Sequence, residues 1–410
     1  MGKQQRFQIA DIQVLRGIAV LLVILQHWSI TPTLLGFFPR KISMPFYSGV
    51  ELFFVISGFV ITLSLMKNHY NVPAFLIKRI FRLTPAVVCF VLVSAGVRGM
   101  IAGQQLSDWA KATFVTPMHQ FLREGLSVVA GYFLFISNGS SYYNGAMWSL
   151  SVEDQFYITF ALVIALITIF YKTTHKITGA IAWIAGSVYV ACLLVRLSCL
   201  FWPQVVPSYP QVLLYITGWR FDFIALGVLL AYAFDRRKGP FKATATDRQL
   251  YSSPWMFCIP LGLLSLMDDS LTGLAQAPLL SGIGYPLTGI CFMVLVRNAA
   301  NNMAFTAREG RVYQFLAYVG DRSYAYYLFQ FPVFAITWLL VLKFDPAAFS
   351  SAVHYGVVQM VVSAFILYYV VEFIYNRVEL PMTALGRRLA ERVTRKAKGA
   401  DQPSGPAATV

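Results

Sequence analysis

Gln13-Val-Leu-Arg-Gly-Ile-Ala-Val-Leu-Leu-Val-Ile-Leu-Gln-His-Trp28 decides the fold. The run is long and apolar enough to span a bilayer, yet it holds Arg16 and His27. Ionisable groups inside a span are costly and mark function by default. The two are eleven residues apart. At about 100° per residue they return almost to one face, and at 1.5 Å rise they lie roughly 16 Å apart. Arg16, Val20, Val23 and His27 thus form one stripe, with the cation near one membrane surface and the base deep inside.

Composition agrees with a membrane chain. Hydrophobic residues make up 57% of the sequence and charged residues 12%, and mean hydropathy is +0.61. A soluble chain carries about twice that charge. The apolar segments are near helix-span length and lack the short alternation of an outer-membrane barrel. The sequence therefore predicts an all-α, polytopic membrane protein of about ten transmembrane helices, with N- and C-termini cytoplasmic.

The net charge of +15 does not imply nucleic-acid binding. The excess Lys and Arg fall in a few connections, as positive-inside loops require. Cys89, Cys192, Cys199, Cys258 and Cys291 show no paired or metal-ligand spacing and read as small core residues. No metal site is expected. The first apolar stretch carries Arg16 and has no small-residue cleavage site, so it is expected to stay as the first span.

The ten spans are expected at about Ile12–Ile30, Tyr47–Met66, Thr84–Ile101, Trp148–Tyr171, Ile177–Phe201, Val212–Phe234, Trp255–Met267, Leu279–Val296, Ser323–Leu342 and Val353–Ile374. Basic clusters follow the even-numbered crossings. Lys67 to Leu83 reads as a basic amphipathic lead-in to span 3. Ser127 to Ser137 is apolar but short and reads as re-entrant or interfacial. Arg297, Arg308 and Arg311 read as a basic connection. Residues 1–385 form one transmembrane domain, and 386–410 a basic, disordered cytoplasmic tail.

Several embedded polar groups need an explanation. Glu51 opens span 2. Ser149, Glu153 and Tyr157 follow i, i+4, i+8 beside Trp148 and share one stripe. Arg79 and Arg82 are i, i+3 on one face. Arg220 and Asp222 lie inside span 6, and Tyr326 and Gln330 inside span 9. Each has a bland reading. Arg16 could snorkel to the interface, and Arg79 and Arg82 could be ordinary inside-loop cations. Glu51 and Glu153 could face outer water. Arg220 and Asp222 could form an ion pair, although i, i+2 positions do not face each other on one helix. His27 resists such a reading, because its span also bears Arg16. His69, His119, His175 and His354 have no pattern and receive no role.

Together these residues resemble the acyltransferase family 3 membrane proteins. Four stretches carry the likeness: Leu15-Arg16-Gly17 with His27, Gly49-Val-Glu-Leu-Phe-Phe-Val-Ile-Ser-Gly58, Lys78-Arg-Ile-Phe-Arg-Leu-Thr-Pro85, and Trp148-Ser-Leu-Ser-Val-Glu-Asp-Gln-Phe-Tyr157. Arg220-Phe-Asp222 and Ser323-Tyr-Ala-Tyr-Tyr-Leu-Phe-Gln-Phe-Pro332 are weaker echoes. Members often carry histidine where Gln330 stands, so no proton transfer is assigned there. Many carry an appended extracytoplasmic domain. No hydrophilic stretch here is large enough for one, so the membrane unit is expected to act alone or with a separate partner.

The resemblance implies an acyl-CoA donor, usually acetyl-CoA, on the cytoplasmic side. It also implies a sugar or polysaccharide acceptor of the cell envelope, a bacterial inner membrane and no tightly bound cofactor. A homo-oligomer is left open. A hydroxyl needs a positioned base, and His27 is expected to be it. Glu153 or Glu51 is expected to orient the imidazole. Arg79 and Arg82 are expected to bind CoA phosphates, and Arg16 the pantetheine arm or developing negative charge. Glu51, Trp148, Ser149, Tyr157, Arg220 and Asp222 complete the expected substrate site. Direct transfer and an acyl-His27 intermediate both fit. A proton-coupled transporter or a non-catalytic subunit of an envelope-polymer assembly are the competing readings. A transporter would more often show matched broken spans in two halves, and none is visible.

Overall fold

The computed structural model describes residues 9–30, 46–102, 144–171, 173–201, 221–236, 259, 278–303, 305, 309–344 and 352–400. These residues are helical apart from short turns, with no strand among them. In chain order the helices are α1 (Ala10–Ile30), α2 (Ser48–Lys67), α3 (Val72–Ala102), α4 (Asn144–Phe170), α5 (Thr174–Phe201), α6 (Phe221–Arg236), α7 (Pro278–Ala300), α8 (Arg311–Asp321), α9 (Ser323–Phe344), α10 (Ala352–Ile374), a π-helical turn (Tyr375–Glu379) and α11 (Leu380–Ala400). Seven of the described segments are long and apolar enough to cross a membrane. The protein is a multi-pass membrane protein. Ser127 to Ser137, Arg220 and, apart from Ile259, the expected span at Trp255–Met267 lie outside the described residues.

In lipid, burial of apolar surface does not drive helices together; close packing and interhelical hydrogen bonds do. The helices use both. α2 is the central helix: 78% of its apolar span is buried, against 22% for α5 at the periphery. Gly58 and Gly227 let α2 and α6 approach until backbones touch; a Cβ on Gly58 would sit 2.1 Å from the Ile224 carbonyl oxygen. α1 and α8 meet the same way at Gly17 and Gly320, where a Cβ on Gly320 would sit 1.8 Å from the Gln13 carbonyl oxygen. α9 and α10 are tied by a buried polar knot. The Gln359 amide donates to Thr337 Oγ1 and Ser363 Oγ, both at 2.9 Å, and those hydroxyls are 2.7 Å apart. Trp183, Leu194, Phe170, Phe365 and Phe373 point outward and exposed, the surface that lipid tails cover.

Two elements differ from the sequence expectation. Residues 311–321, expected as part of a basic connection, form α8 against α1, where Tyr313 OH donates to Asp11 at 2.7 Å. Residues 386–400, expected as a disordered tail, continue as helix through Ala400, and α11 packs along α3. The reason is tertiary. Gly386 leaves room for Phe81, whose Cβ would lie 2.6 Å from a Cβ at that position. Asn71 Nδ2 donates to Thr394 Oγ1 at 3.3 Å farther along.

Candidate active site

Seven helices (α1, α2, α3, α4, α8, α9 and α11) and the π-helical turn line a cavity of about 370 Å³. α1 contributes Arg16 and α2 contributes Ser57. α3 contributes Arg79 and Arg82, and α4 contributes Ser149, Glu153 and Tyr157. α9 contributes Ser323, Tyr324 and Tyr327. The α4 stripe faces inward because i, i+4 and i+8 stack on one side of a helix.

Each polar group on the α4 stripe has a fixed partner. Glu153 Oε1 accepts hydrogen bonds from Ser57 Oγ and from Tyr157 OH, one turn away on its own helix. Ser149 Oγ is hydrogen-bonded to Tyr327 OH. The Arg79 guanidinium lies 4.8 Å from the Tyr157 ring centroid and 5.6 Å from that of Phe75, a cation–π setting. Arg16 Nη2 donates to Ser323 Oγ at 2.9 Å. The two arginines of α3 differ from these: neither Arg79 nor Arg82 has a side-chain hydrogen bond or ion pair with another described residue. Three half-buried guanidinium groups therefore face a cavity that Glu153, Asp321 and Glu379 also line, and none of the three makes a direct ion pair with a carboxylate among the described residues. Buried cations without a direct partner cost free energy, which the negative charge of a ligand would offset.

His27 does not line this cavity. It sits farther along α1, against α9. Its Nδ1 is 3.0 Å from Gln330 Oε1, and its ring stacks at a tilt on Phe331 with centroids 4.4 Å apart. The Gln330 amide donates through Nε2 to the Tyr327 carbonyl at 2.9 Å, and its side chain is fully buried. That bond fixes which end of the amide faces His27. A carbonyl oxygen only accepts, so Nδ1 carries the imidazole proton and Nε2 keeps its lone pair. One turn of α9 thus joins the Tyr327 hydroxyl at the cavity wall to the His27–Gln330 pair.

The structure redistributes the expected site residues. Arg16, Arg79, Arg82, Ser149, Glu153 and Tyr157 come together. Glu153, expected beside His27, instead stands at the arginine end with Ser57 and Tyr157. Gln330 takes the contact with His27. Glu51 is fully buried on α2 but does not line the cavity. Asp222 also lies elsewhere. Its Oδ2 accepts from Arg196 Nε at 3.1 Å and Nη2 at 2.6 Å, and its Oδ1 accepts from the Phe223 backbone at 2.9 Å. Arg196 in turn lies 5.0 Å from the Tyr285 ring centroid, so the pair clasps α5, α6 and α7 instead of meeting a substrate. The Arg220 partner considered from sequence lies outside the described residues, as does the Trp148 side chain.

Sequence reasoning missed Ser57, Ser323, Tyr324 and Tyr327. Ser57 was legible in principle: it belongs to the Gly49–Gly58 stretch and faces α4 one residue before a glycine contact. Tyr324 donates to the Leu83 carbonyl at 3.2 Å and so links α9 to the helix that carries Arg79 and Arg82.

A family model described as "Acyltransferase domain" matches residues 9–374. The Staphylococcus aureus (strain COL) protein named "Putative O-acetyltransferase SACOL0978" is 24% identical over 353 residues, which is 81% of this chain and 51% of that protein. The Bacillus subtilis (strain 168) protein named "Putative peptidoglycan O-acetyltransferase YrhL" is 26% identical over 410 residues, 95% of this chain and 57% of that one. The Komagataeibacter xylinus protein named "Putative membrane-bound transacylase BcsY" is 31% identical over 178 residues, 40% of this chain and 39% of that one. The chain spans about half the length of the first two relatives. No solved structure matches.

Proposed function

The chain belongs to the acyltransferase family 3, and from that premise we propose that it is a membrane O-acyltransferase of a bacterial inner membrane. It moves an acyl group, most simply acetyl, from cytoplasmic acyl-CoA to a hydroxyl of an envelope sugar. The names of the relatives support O-acetyl transfer, and one of them specifies peptidoglycan. One observation carries the reading. The same helix, α1, bears Arg16 in a cavity with two arginines that make no direct ion pair among the described residues, and bears His27 beyond it in a defined tautomer.

In this reading Arg79 and Arg82 meet the phosphates of the donor, because planar guanidinium forks match phosphate oxygens. Tyr157 stacks Arg79 in place. Glu153 holds Tyr157 and Ser57, and its charge offsets the crowded cations. The pantetheine arm runs past Arg16, Ser149 and Tyr327 toward His27. There Nε2 takes the proton of the acceptor hydroxyl as its oxygen attacks the thioester carbonyl. The C–S bond then breaks, and the CoA thiolate leaves with its negative charge. Gln330 keeps Nδ1 protonated and the ring aimed, the role a third group plays beside a catalytic base.

The test is acyl transfer from radiolabelled acetyl-CoA to envelope glycan in membranes held without an ion gradient. The wild type is expected to label glycan, and Arg79→Ala/Arg82→Ala to lose labelling at low donor concentration and regain part of it at high concentration. Labelling that requires an imposed proton gradient would support a transporter instead.

A further inference from the structure

The family match ends at Ile374, and the cavity does not. Tyr375, Glu379, Thr383 and Arg387 all line it. They fall at i, i+4, i+8 and i+12, so one face of the π-helical turn and α11 forms part of the wall. The π-helical turn accounts for this. An inserted residue rotates the helix that follows it, and such turns recur at functional sites. Upstream of it α10 exposes Phe365, Tyr369 and Phe373 outward. Downstream, Glu379 and Gly386 are buried, and Arg387 is exposed at the cavity mouth.

Two further observations describe that face. Glu379 is only 8% exposed, yet its Oε1 has no hydrogen-bond partner among the described residues. Its charge lies within electrostatic reach of Arg82, Arg16 and Arg322. The Gly386–Phe81 contact also holds α11 against α3, the helix that presents Arg79 and Arg82.

We propose that Thr383 and Arg387 of α11 form a second anion subsite at the cytoplasmic mouth, which recognises the phosphorylated nucleotide end of the acyl donor. The inference rests on the acyl-CoA reading above. Arg387 and Arg82 bind phosphate from two helices, and the Thr383 hydroxyl donates to the same group. Glu379 is the resident counter-charge that keeps these cations from repelling one another before the donor enters. The subsite selects a nucleotide-bearing thioester over a short one, although it lies outside the matched domain.

The experiment uses the full chain in nanodiscs of zwitterionic lipid. It compares steady-state transfer from acetyl-CoA, acetyl-3′-dephospho-CoA and S-acetyl-pantetheine. Arg387→Ala is expected to raise KM for acetyl-CoA about 10- to 100-fold, as loss of a charge-assisted phosphate contact does, with kcat unchanged and S-acetyl-pantetheine unaffected. Arg387→Lys is expected to recover part of the affinity. Arg392→Ala, an exposed position on α11 outside the cavity wall, is the control and is expected to match wild type. An unchanged KM for acetyl-CoA in Arg387→Ala, or equal losses on all three donors, overturns the subsite while leaving the acyltransferase reading in place. A loss that appears only in discs containing phosphatidylglycerol assigns Arg387 to lipid headgroups and likewise overturns it. A folded wild type that uses none of the donors removes the acyl-CoA reading itself, and the subsite with it.

Discussion

Arg196 and Arg79 are both arginines within a membrane bundle, and the protein treats them in opposite ways. Arg196 is 3% exposed and makes two hydrogen bonds to one carboxylate on the next helix, whose other oxygen caps a backbone amide. Its charge is closed off. Arg79 stacks on two aromatic rings and, like Arg82, meets no carboxylate among the described residues. Its charge is left open to a cavity. A closed pair holds helices in register and is strongly destabilising to break from one side. An open cation contributes little to the fold and waits for an anion. The same side chain therefore serves architecture in one region and recognition in the other, and the partner across the helix interface decides which.

The largest effect should come from opening the closed pair. Arg196→Ala leaves Asp222 buried without its cation and should cost about 3–5 kcal/mol, seen as a steep fall in detergent-resistant folded protein. If Arg196→Ala proved as stable as wild type, the contrast between the two arginines would collapse. Next in size is the packing beneath Arg16. Gly320→Ala drives a methyl into the Gln13 carbonyl and should cost about 1–3 kcal/mol as overpacking, with a lower thermal midpoint and a misplaced Arg16.

The third prediction inverts the first. Arg79→Ala/Arg82→Ala should leave the thermal midpoint equal or higher, because it removes cations that repel one another, while weakening CoA binding about 10- to 100-fold or more. Loss of stability on that scale without loss of binding would move both residues to the architectural class. The smallest effect concerns His27. Gln330→Leu removes the acceptor that holds the Nδ1 proton and should slow transfer about ten-fold. Gln330→His restores an acceptor and should recover most of that rate.

Much of this was legible in the chain. Long apolar runs bounded by charges gave α1, α2, α9 and α10 to within about two residues. The i, i+4, i+8 spacing of Ser149, Glu153 and Tyr157 placed them on one face, and the structure puts that face on the cavity. What periodicity cannot say is which neighbouring helix a face meets. Asp222 found Arg196 on α5, and Glu153 found Ser57 on α2, because glycine contacts such as Gly58 against Gly227 set the neighbours. Gln330 was set aside as incapable of proton transfer, yet an acceptor alone suffices to fix a tautomer. α8 and α11 escaped because their residues are short of apolar length and rich in charge. Their helicity rests on packing against α1 and α3, which composition does not reveal.

The central claim is that α1 divides the work, with donor capture at Arg16 and proton removal at His27. The most direct measurement is made on wild type and His27→Gln in nanodiscs, pairing equilibrium CoA binding with acetyl transfer on the same preparation. The account predicts equal CoA affinity in both and a loss of transfer of about 10²- to 10⁴-fold in the variant, the usual worth of a positioned base. Transfer at the wild-type rate by folded His27→Gln protein would contradict it.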